Sequence, residues 1–329
     1  MNPELVNSIF LSESADWNFE ELVNKCFRHQ YAKNPVYQDY VNNLSIDVDS
    51  VETCDDIPFL PIEFFKSRKV YAGDKDEEIQ FFSSGTTGST PAVHYLAFKA
   101  LYELSFTESF KHFYGEPKNY CFLALLPSYL ERENSSLVYM IDRLIRMSAF
   151  SESGFYLNNL DDLAQTLNTL EKRKTKTILI GVSYALLDFA ERFPMQLKHT
   201  TVMETGGMKG RREELSKVAL HKILADGFGL EDIHSEYGMT EILSQAYSSG
   251  KGIFYSPPWM RVRIRDPYDP FSYLETGRTG GVNIIDLANW HSCSFIETQD
   301  LGRMTNDSGF EILGRFDSSD IRGCNLLVQ

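Results

Sequence analysis

The sequence has little that would suit a membrane, a secretion pathway or a nucleic-acid partner. Its 329 residues contain no run of about 18 apolar residues, and no basic stretch opens the chain, so we expect a soluble protein without a leader or a span. The net charge of -14 argues against nucleic acid, because affinity for a phosphate backbone depends on Lys and Arg. The five cysteines form no C-x-x-C pair, which indicates neither a disulfide framework nor a zinc site and favours a reducing, cytoplasmic compartment.

Two common nucleotide-binding patterns are also absent from the sequence. Neither G-x-x-x-x-G-K-[ST] nor G-x-G-x-x-G occurs, but residues 81–91 read Phe-Phe-Ser-Ser-Gly-Thr-Thr-Gly-Ser-Thr-Pro. This segment predicts a strand that runs into a loop lined with hydroxyl donors. Glycine lets successive backbone N–H groups turn toward one anion, and the hydroxyls can bind phosphate oxygens or magnesium. The segment therefore indicates a phosphate site, although its composition alone is also typical of a solvent-facing turn.

The chain divides by pattern into four segments. Residues 1–79 have helical periodicity interrupted by prolines and predict a helical lead-in. Residues 80–250 alternate short apolar runs with helical spacing, which predicts an α/β core whose largely parallel sheet is covered on both faces. Residues 251–314 are richer in turns and predict a smaller β-rich subdomain; with the preceding segments they form one expected domain, 1–314. The last segment, 315–329, is expected to be a hinge remnant and a tail.

Three later motifs contain residue types that suit a nucleotide. Tyr237 can stack on an adenine, Thr240 can meet a phosphate, and Glu241 can hold Mg²⁺ directly or through water. Asp300 can bond two neighbouring ribose hydroxyls, and Arg315 can reach ribose or phosphate. Each motif in isolation is more typical of a surface turn.

Taken in order, these motifs resemble the core motifs of the adenylate-forming superfamily of acyl- and aryl-CoA synthetases, adenylation domains and luciferases. The resemblance covers roughly residues 80–320 and implies that superfamily's large-domain fold. It also implies ATP-dependent activation of a carboxylate, giving an acyl-adenylate and pyrophosphate. The implied cofactors are ATP and Mg²⁺. The roles implied by the resemblance are phosphate binding by Ser83, Ser84, Gly85, Thr86, Thr87 and Gly88; adenine contact by Gly206, Gly207 and Tyr237 with Gly238; α-phosphate contact by Thr240; magnesium binding by Glu241 and Thr86; and ribose binding by Asp300 and Arg315.

The sequence departs from the superfamily pattern at two places. The loop usually continues with Pro-Lys, whereas Ser89, Thr90 and Pro91 lead here to His94, which we count among the candidate catalytic residues. The chain ends 14 residues after Arg315, so we expect the lid domain with its catalytic lysine to be absent or vestigial. Lys209, another residue or a partner would then replace that lysine, or the first step would be slow.

Four further segments resemble the acyl-protein synthetases, the fatty-acid-activating subunits of the bioluminescence fatty-acid reductase complex. These segments are Leu60–Lys66, Leu126–Arg132, Thr205–Arg211 and Ile321–Leu327. In that family a cysteine near the C-terminus takes the acyl group as a thioester and passes it to a reductase partner. Cys324 is the matching position, and the positive charge of Arg322 nearby would favour its thiolate. An acyl reductase or acyltransferase is therefore the expected protein partner, and a fatty acid the expected substrate.

Three alternatives stay open at this point. An acyl- or aryl-CoA ligase, similar to phenylacetate-CoA ligase, would use CoA as acceptor in place of Cys324. A serine hydrolase would use Ser183 in a Gly-x-Ser-x-Ala turn, with Asp226 or Asp232 and His234 following in the required order, although Ala185 replaces the usual second glycine and Ser183 is equally a helix N-cap. A non-catalytic interaction protein on the same fold is the third.

Overall fold

The computed structural model describes residues 3–10, 17–84, 90–127, 134–206 and 215–316. The chain forms two compact units. The first unit contains Met1–Ile79, Ala92–Ala97 and Pro258–Gln329, and the second contains Gln80–Pro91 and Phe98–Pro257. Among the described residues, no helix is both long and apolar enough to cross a membrane.

The first unit begins with helices, as the lead-in pattern predicts. They are α1 (Pro3–Phe10), α2 (Phe19–Lys33), α3 (Pro35–Asn43), a 3-10 turn (Val48–Ser50) and α4 (Phe64–Ser67). Side-chain oxygens of Asn18 and Asn34 accept N–H groups of the first turns of α2 and α3, which fixes where these helices start. The ring of Phe295 stacks on Tyr37 at 6.0 Å, so the helices pack on the later strands of the same unit.

An antiparallel sheet forms the rest of the first unit. Its order is β14 (Phe310–Arg315), β13 (Phe295–Met304), β12 (Gly280–Asp286) and β11 (Met260–Arg265). The short strand β1 (Leu60–Pro61) pairs in parallel with the start of β13. A 3-10 turn, Leu287–Asn289, connects β12 toward β13. Most strands of this sheet come from residues 251–314, and they belong to the same unit as the N-terminal helices.

Two short strands lie where the chain passes between the units. The strand β2 (Ile79–Phe82) leads into Ser83 and Ser84, and β3 is Val93–Leu96. The strand expected before the serine-threonine-glycine loop is therefore present, while residues 85–89 of that loop lie outside the described residues.

The second unit contains a mainly parallel sheet. Its order is β5 (Gly154–Phe155), β4 (Cys121–Leu125), β6 (Thr177–Gly181), β7 (Thr200–Glu204), β8 (His234–Tyr237) and β9 (Ala246–Ser248). The pairs from β5 to β8 are parallel and only the β8–β9 pair is antiparallel. A two-residue strand, β10 (Ile253–Phe254), follows. The predicted parallel core is confirmed.

Helices cover both faces of this sheet because alternate strand residues point to opposite sides. Leu123, Leu179 and Val202 face α7 (Leu160–Arg173), α8 (Ser183–Arg192) and α9 (Lys217–Phe228) in one apolar core. On the other face Phe122 packs 5.3 Å from Phe110 of α5 (Lys99–Tyr114), and α6 (Ser136–Met147) lies on the same side. A 3-10 turn, Pro117–Asn119, links α5 to β4. Ser183 is the first residue of α8, and Val182 takes the cap position that the sequence suggested for the serine.

Candidate functional site

The carboxyl edge of the parallel sheet collects several of the predicted site residues. β6, β7 and β8 are neighbours and end at Gly181, Glu204 and Tyr237. Because parallel strands point the same way, the turns that follow them share one edge, which is where open α/β sheets bind ligands. Gly206 and the Tyr237–Glu241 segment are therefore brought to the same edge of the second unit.

The turn after β7 depends on a glycine at position 206. Gly206 has φ of +74°, a left-handed conformation that costs other residues about 1–2 kcal/mol. Its carbonyl accepts the Ser183 N–H at 2.9 Å, and its own N–H donates to Glu204 Oε2 at 2.7 Å. Apart from its chain neighbours, no described atom lies within 4 Å of the position where a Cβ would stand.

The carboxylate of Glu204 was not singled out by sequence reasoning. The side chain is 3 % exposed and accepts hydrogen bonds from Ser235 Oγ at 2.6 Å and Ser183 Oγ at 3.3 Å. Lys217 Nζ lies 3.0 Å from Oε1, and His221 Nε2 lies 3.5 Å from it. Burial alone would raise the pKa of Glu204, but these partners outweigh it and hold the pKa well below the usual range. A charged residue at the end of an otherwise buried strand is the signal that could have found it.

The turn after β8 begins at Tyr237, the predicted adenine contact. Its ring lies 5.7 Å from that of Phe254, and the residue is 9 % exposed. A Cβ on Gly238 would stand 2.5 Å from Glu236 Oε1, so a larger residue there would displace that carboxyl group. Thr240 is partly exposed and Glu241 is buried, and both make contacts. Two oxygen-bearing side chains therefore follow the strand closely at the carboxyl edge.

Glu236 differs from Glu204 in its protonation. Burial raises the pKa of Glu236 to about 8, the nearby negative charge of Glu204 adds to the increase, and Lys217 opposes it. Glu236 also lies near Tyr102 of α5 and Tyr247 of β9. Burial is the main cause of the raised pKa of each tyrosine, and the charge of Glu236 is the second cause. The pKa values of two carboxyl groups on adjacent strands are thus shifted in opposite directions.

Asp300 and Arg315 lie together in the first unit, as their predicted shared role requires. They are opposite each other in the pairing of β13 with β14, and Arg315 Nε donates to Asp300 Oδ1 at 3.0 Å. The Asp300 side chain is 7 % exposed, whereas that of Arg315 is 59 % exposed. The Asp300 N–H donates to Thr298 Oγ1 at 3.1 Å, which fixes the backbone beside the carboxylate.

Several other predicted site residues lie outside the described residues. These are Gly85, Thr86, Thr87, Gly88, Gly207 and Cys324, together with Lys209. Ser83 and Ser84, at the start of the loop, are partly exposed and exposed respectively.

His94 lies in the interior of the first unit. It is fully buried, its Nε2 lies 3.0 Å from Asn289 Oδ1, and its ring meets Phe65 edge to face at 5.8 Å. A buried histidine with an amide partner and an aromatic neighbour is typical of a packed core. We therefore leave His94 out of the function proposed below.

The described residues do not assemble the triad that a serine hydrolase would need. Ser183 is buried and its Oγ donates to Glu204, while His234 Nδ1 contacts Tyr114 at 2.9 Å. His221 does approach a serine, Ser235, but both that serine and Glu204 face the same ring nitrogen. A triad requires the acid and the nucleophile on opposite nitrogens.

The chain matches, over residues 8–329, the model of a protein family described as acyl-protein synthetase, LuxE. The chain belongs to this family. Two relatives are named long-chain-fatty-acid--luciferin-component ligase. The one from Aliivibrio fischeri is 23 % identical over 91 % of this chain and 84 % of its own. The one from Vibrio harveyi is 24 % identical over 99 % of this chain and 93 % of its own. This member of the acyl-protein synthetase family is accordingly a ligase.

Solved structures show which fold this acyl-protein synthetase has. A 2-hydroxyisobutyryl-CoA ligase in complex with 2-HIB-AMP and CoA superposes with a TM-score of 0.68 and 12 % identity, over 95 % of this chain and 70 % of that one. ATP-bound MatB from Rhodopseudomonas palustris gives a TM-score of 0.52 and 17 % identity over 72 % of this chain. The match spans about half of the MatB chain (47 %). The predicted adenylate-forming fold is confirmed.

Proposed function

We propose that this protein activates a fatty acid with ATP and then transfers the acyl group to its own Cys324. In the first step a carboxylate oxygen attacks the α-phosphorus of ATP, which forms the acyl-adenylate and releases pyrophosphate. In the second step the Cys324 thiolate attacks the acyl carbon, which forms the thioester and releases AMP. The observation that carries the proposal is the pair of turns, at Gly206 and at Tyr237–Glu241, on one edge of the sheet in a chain of this family.

The residue roles follow the order of motifs along the chain. In the second unit, Gly206, Gly207 and Tyr237 with Gly238 would border the adenine, and Thr240 would meet the α-phosphate. Residues Ser83, Ser84, Gly85, Thr86, Thr87 and Gly88 would bind the β- and γ-phosphates. In the first unit, Asp300 and Arg315 would hold the ribose; the acceptor oxygens of Asp300 and the exposed guanidinium of Arg315 suit hydroxyl groups.

Magnesium fits the oxygen donors at the carboxyl edge. Mg²⁺ is usually held through one or two carboxylates and the phosphates of its nucleotide, and Glu241 supplies a carboxylate directly after β8. When bound, the ion would neutralise charge on the phosphates. Glu241 would hold it from the protein side together with Thr86, and Thr240 would orient the α-phosphate beside it.

The other cysteines support Cys324 as the acceptor. Cys26, Cys54, Cys121 and Cys293 are all buried, and none of them forms a disulfide within the described residues. Burial raises the pKa of Cys54 and of Cys121 to about 11, that of Cys293 to about 12, and that of Cys26 further still. Since the thiolate is the nucleophile, none of these four is suited to the transfer step. An acyl reductase or acyltransferase would then take the acyl group from Cys324.

The proposal is tested by labelling the whole chain with a radioactive long-chain fatty acid, ATP and Mg²⁺. We expect label that survives denaturation and is released by neutral hydroxylamine, as a thioester is. It should be lost in Cys324→Ser and retained in the matched control Cys54→Ser. Label persisting in Cys324→Ser would refute the acceptor assignment. Product found only as acyl-CoA, and only when CoA is added, would instead identify a CoA ligase.

A further inference from the structure

A group of six residues, three of them buried and three partly exposed, lies at the carboxyl edge of the second unit. We call it the Glu204 cluster; its members are Ser183, Glu204, Gly206, Lys217, His221 and Ser235. They come from α8, the end of β7, the turn after it, α9 and β8. Every member other than Glu204 has a polar atom within 3.5 Å of the Glu204 carboxylate. One carboxylate thus joins five separate points of the chain.

The two oxygens of Glu204 have different partners. Oε2 accepts the Gly206 N–H at 2.7 Å and the Ser183 hydroxyl at 3.3 Å, and these two residues are themselves joined by a backbone hydrogen bond. Oε1 accepts the Ser235 hydroxyl at 2.6 Å and lies 3.0 Å from Lys217 Nζ. Oε2 therefore fixes the turn after β7 against the start of α8, and Oε1 fixes β8 against α9.

The cluster connects directly to the two turns proposed to border the adenine. Gly206 is itself a member, and Ser235 lies two residues before Tyr237 on the same strand. Lys217 Nζ lies 4.4 Å from the centre of the Phe254 ring, and that ring lies 5.7 Å from Tyr237. A change at Glu204 would therefore affect both turns. It would affect the Gly206 turn through the hydrogen bond from the Gly206 N–H, and the Tyr237 turn through Ser235 and Lys217.

We propose that Glu204 is the positioning residue of the nucleotide site: it holds the Gly206 turn and the Tyr237 turn at the spacing that binds the adenine of ATP. Glu204 itself lies under the turns and touches no substrate. The inference rests on the proposed function, in which Gly206 and Tyr237 border the adenine. Glu204 would contribute to the affinity for ATP by fixing the spacing of these two turns.

A purely structural role would have different consequences. Buried ion pairs often add little net stability, and removing one partner is costly wherever the pair lies. If Glu204 only supported the fold, its loss would lower the melting temperature and the amount of folded protein, but folded molecules would bind ATP normally. If it positions the turns, ATP affinity falls in molecules that remain folded.

The chain offers a matched control at the opposite end of the same strand. Glu171 accepts the backbone N–H of His199 at 3.0 Å and the Thr200 hydroxyl at 2.7 Å, where β7 begins. It therefore also links a carboxylate to backbone and hydroxyl donors. Glu171 lies at the amino end of β7, remote along the strand from the proposed nucleotide turns, so Glu171→Gln changes the same kind of interaction away from them.

The experiment measures ATP binding by isothermal titration calorimetry, and carboxylate-dependent ATP–pyrophosphate exchange, in the full chain. For Glu204→Gln we expect the Kd and the KM for ATP to rise about 10- to 100-fold, the loss typical of a charged hydrogen bond. In Glu204→Gln, the KM for the fatty acid should stay within about twofold of wild type. In the control Glu171→Gln, the Kd for ATP should also stay within about twofold of wild type. Unchanged ATP affinity in folded Glu204→Gln, or an equal loss in Glu171→Gln, would overturn the inference.

A second variant covers the case in which Glu204→Gln does not fold. Ser235→Ala removes the 2.6 Å hydrogen bond to Glu204 together with the 3.2 Å contact between Ser235 Oγ and His221 Nε2, and it leaves the ion pair with Lys217 in place. It should raise the Kd for ATP several-fold without affecting the KM for the fatty acid, and an unchanged Kd would count against the inference. A wild-type protein that binds ATP but shows no carboxylate-dependent exchange would refute the proposed function and leave the calorimetric comparison valid for Glu204.

Discussion

Glu236 should make the stability of this protein fall as the pH rises through neutrality. Its carboxyl group has a pKa of about 8 in the folded chain against an ordinary value of 4.5, chiefly because it is buried and secondarily because Glu204 is near. Between these two pH values the folded state holds a proton that the unfolded state has released. The stabilisation is therefore complete below about pH 4.5 and is lost progressively up to pH 8.

The size of this effect follows from the same two pKa values. At about 1.4 kcal/mol for each pH unit, an increase from 4.5 to about 8 corresponds to about 5 kcal/mol. Because solvent reaches part of the Glu236 side chain and screens its charge, we expect a smaller loss of unfolding free energy, about 2 to 5 kcal/mol. For a unit of this size, that corresponds to a change of about 4 to 20 °C in melting temperature.

The assay compares the melting temperatures of wild type and Glu236→Gln by differential scanning fluorimetry from pH 5 to pH 9. Glutamine mimics the neutral acid, so the two proteins should melt together near pH 5, and the variant should melt higher at pH 8.5. Glu231→Gln, in which an exposed carboxylate changes in the same way, should follow wild type at every pH. If the melting temperatures of wild type and Glu236→Gln change in parallel with pH, the raised pKa of Glu236 is refuted.

Two further predictions concern residues of the first unit. Asp300→Asn should raise the KM for ATP about 10- to 100-fold, since a carboxylate that accepts ribose hydroxyls contributes a charged hydrogen bond. It should also remove the preference for ATP over 2′-deoxy-ATP in pyrophosphate exchange; a preference that survives would show that the ribose is held elsewhere. His94→Ala should lower the free energy of unfolding by about 1–3 kcal/mol, because the buried Asn289 Oδ1 loses its 3.0 Å contact with His94 Nε2. The exchange rate per folded molecule should be unchanged, and a tenfold loss at an unchanged melting temperature would establish a catalytic role.

Local sequence patterns were sufficient for most of the second unit. The apolar runs at 121–125, 177–181 and 200–204 become β4, β6 and β7. Short apolar runs that alternate with helical segments are typical of a parallel sheet, because helices cover both of its faces and bury every side chain of a strand. The strand expected before the serine-threonine-glycine loop is β2, and the helical spacing predicted within residues 80–250 corresponds to helices such as α6 and α8. Gly206 could be expected in a turn, since glycine adopts the left-handed conformation found there at little cost.

Partnerships between distant residues could not be predicted in the same way. Nothing in the local pattern pairs Asn34 with the carbonyl of Ser292, 258 positions away, yet such contacts join the N-terminal helices and the C-terminal strands in one unit. His94 illustrates the same limit. Its place in the motif order suggested chemistry, and only the fold shows that its neighbours in the core include the amide of Asn289 and the ring of Phe65.

The sequence by itself determined the resemblance to the acyl-protein synthetases and to the adenylate-forming superfamily, through matching motifs in the same order along the chain, and its local hydrophobic periodicity predicted the alternating strands and helices of residues 80–250. The tertiary structure alone decided that the pKa of Glu204 is lowered and that of Glu236 is raised, although both are glutamates in short strands near the same edge. The physical reason is environment: Glu204 meets Lys217, two hydroxyls and a backbone N–H, whereas Glu236 is desolvated near the negative charge of Glu204. A carboxyl group's charge depends on which atoms surround it in space, and the fold brings those atoms together from five parts of the chain.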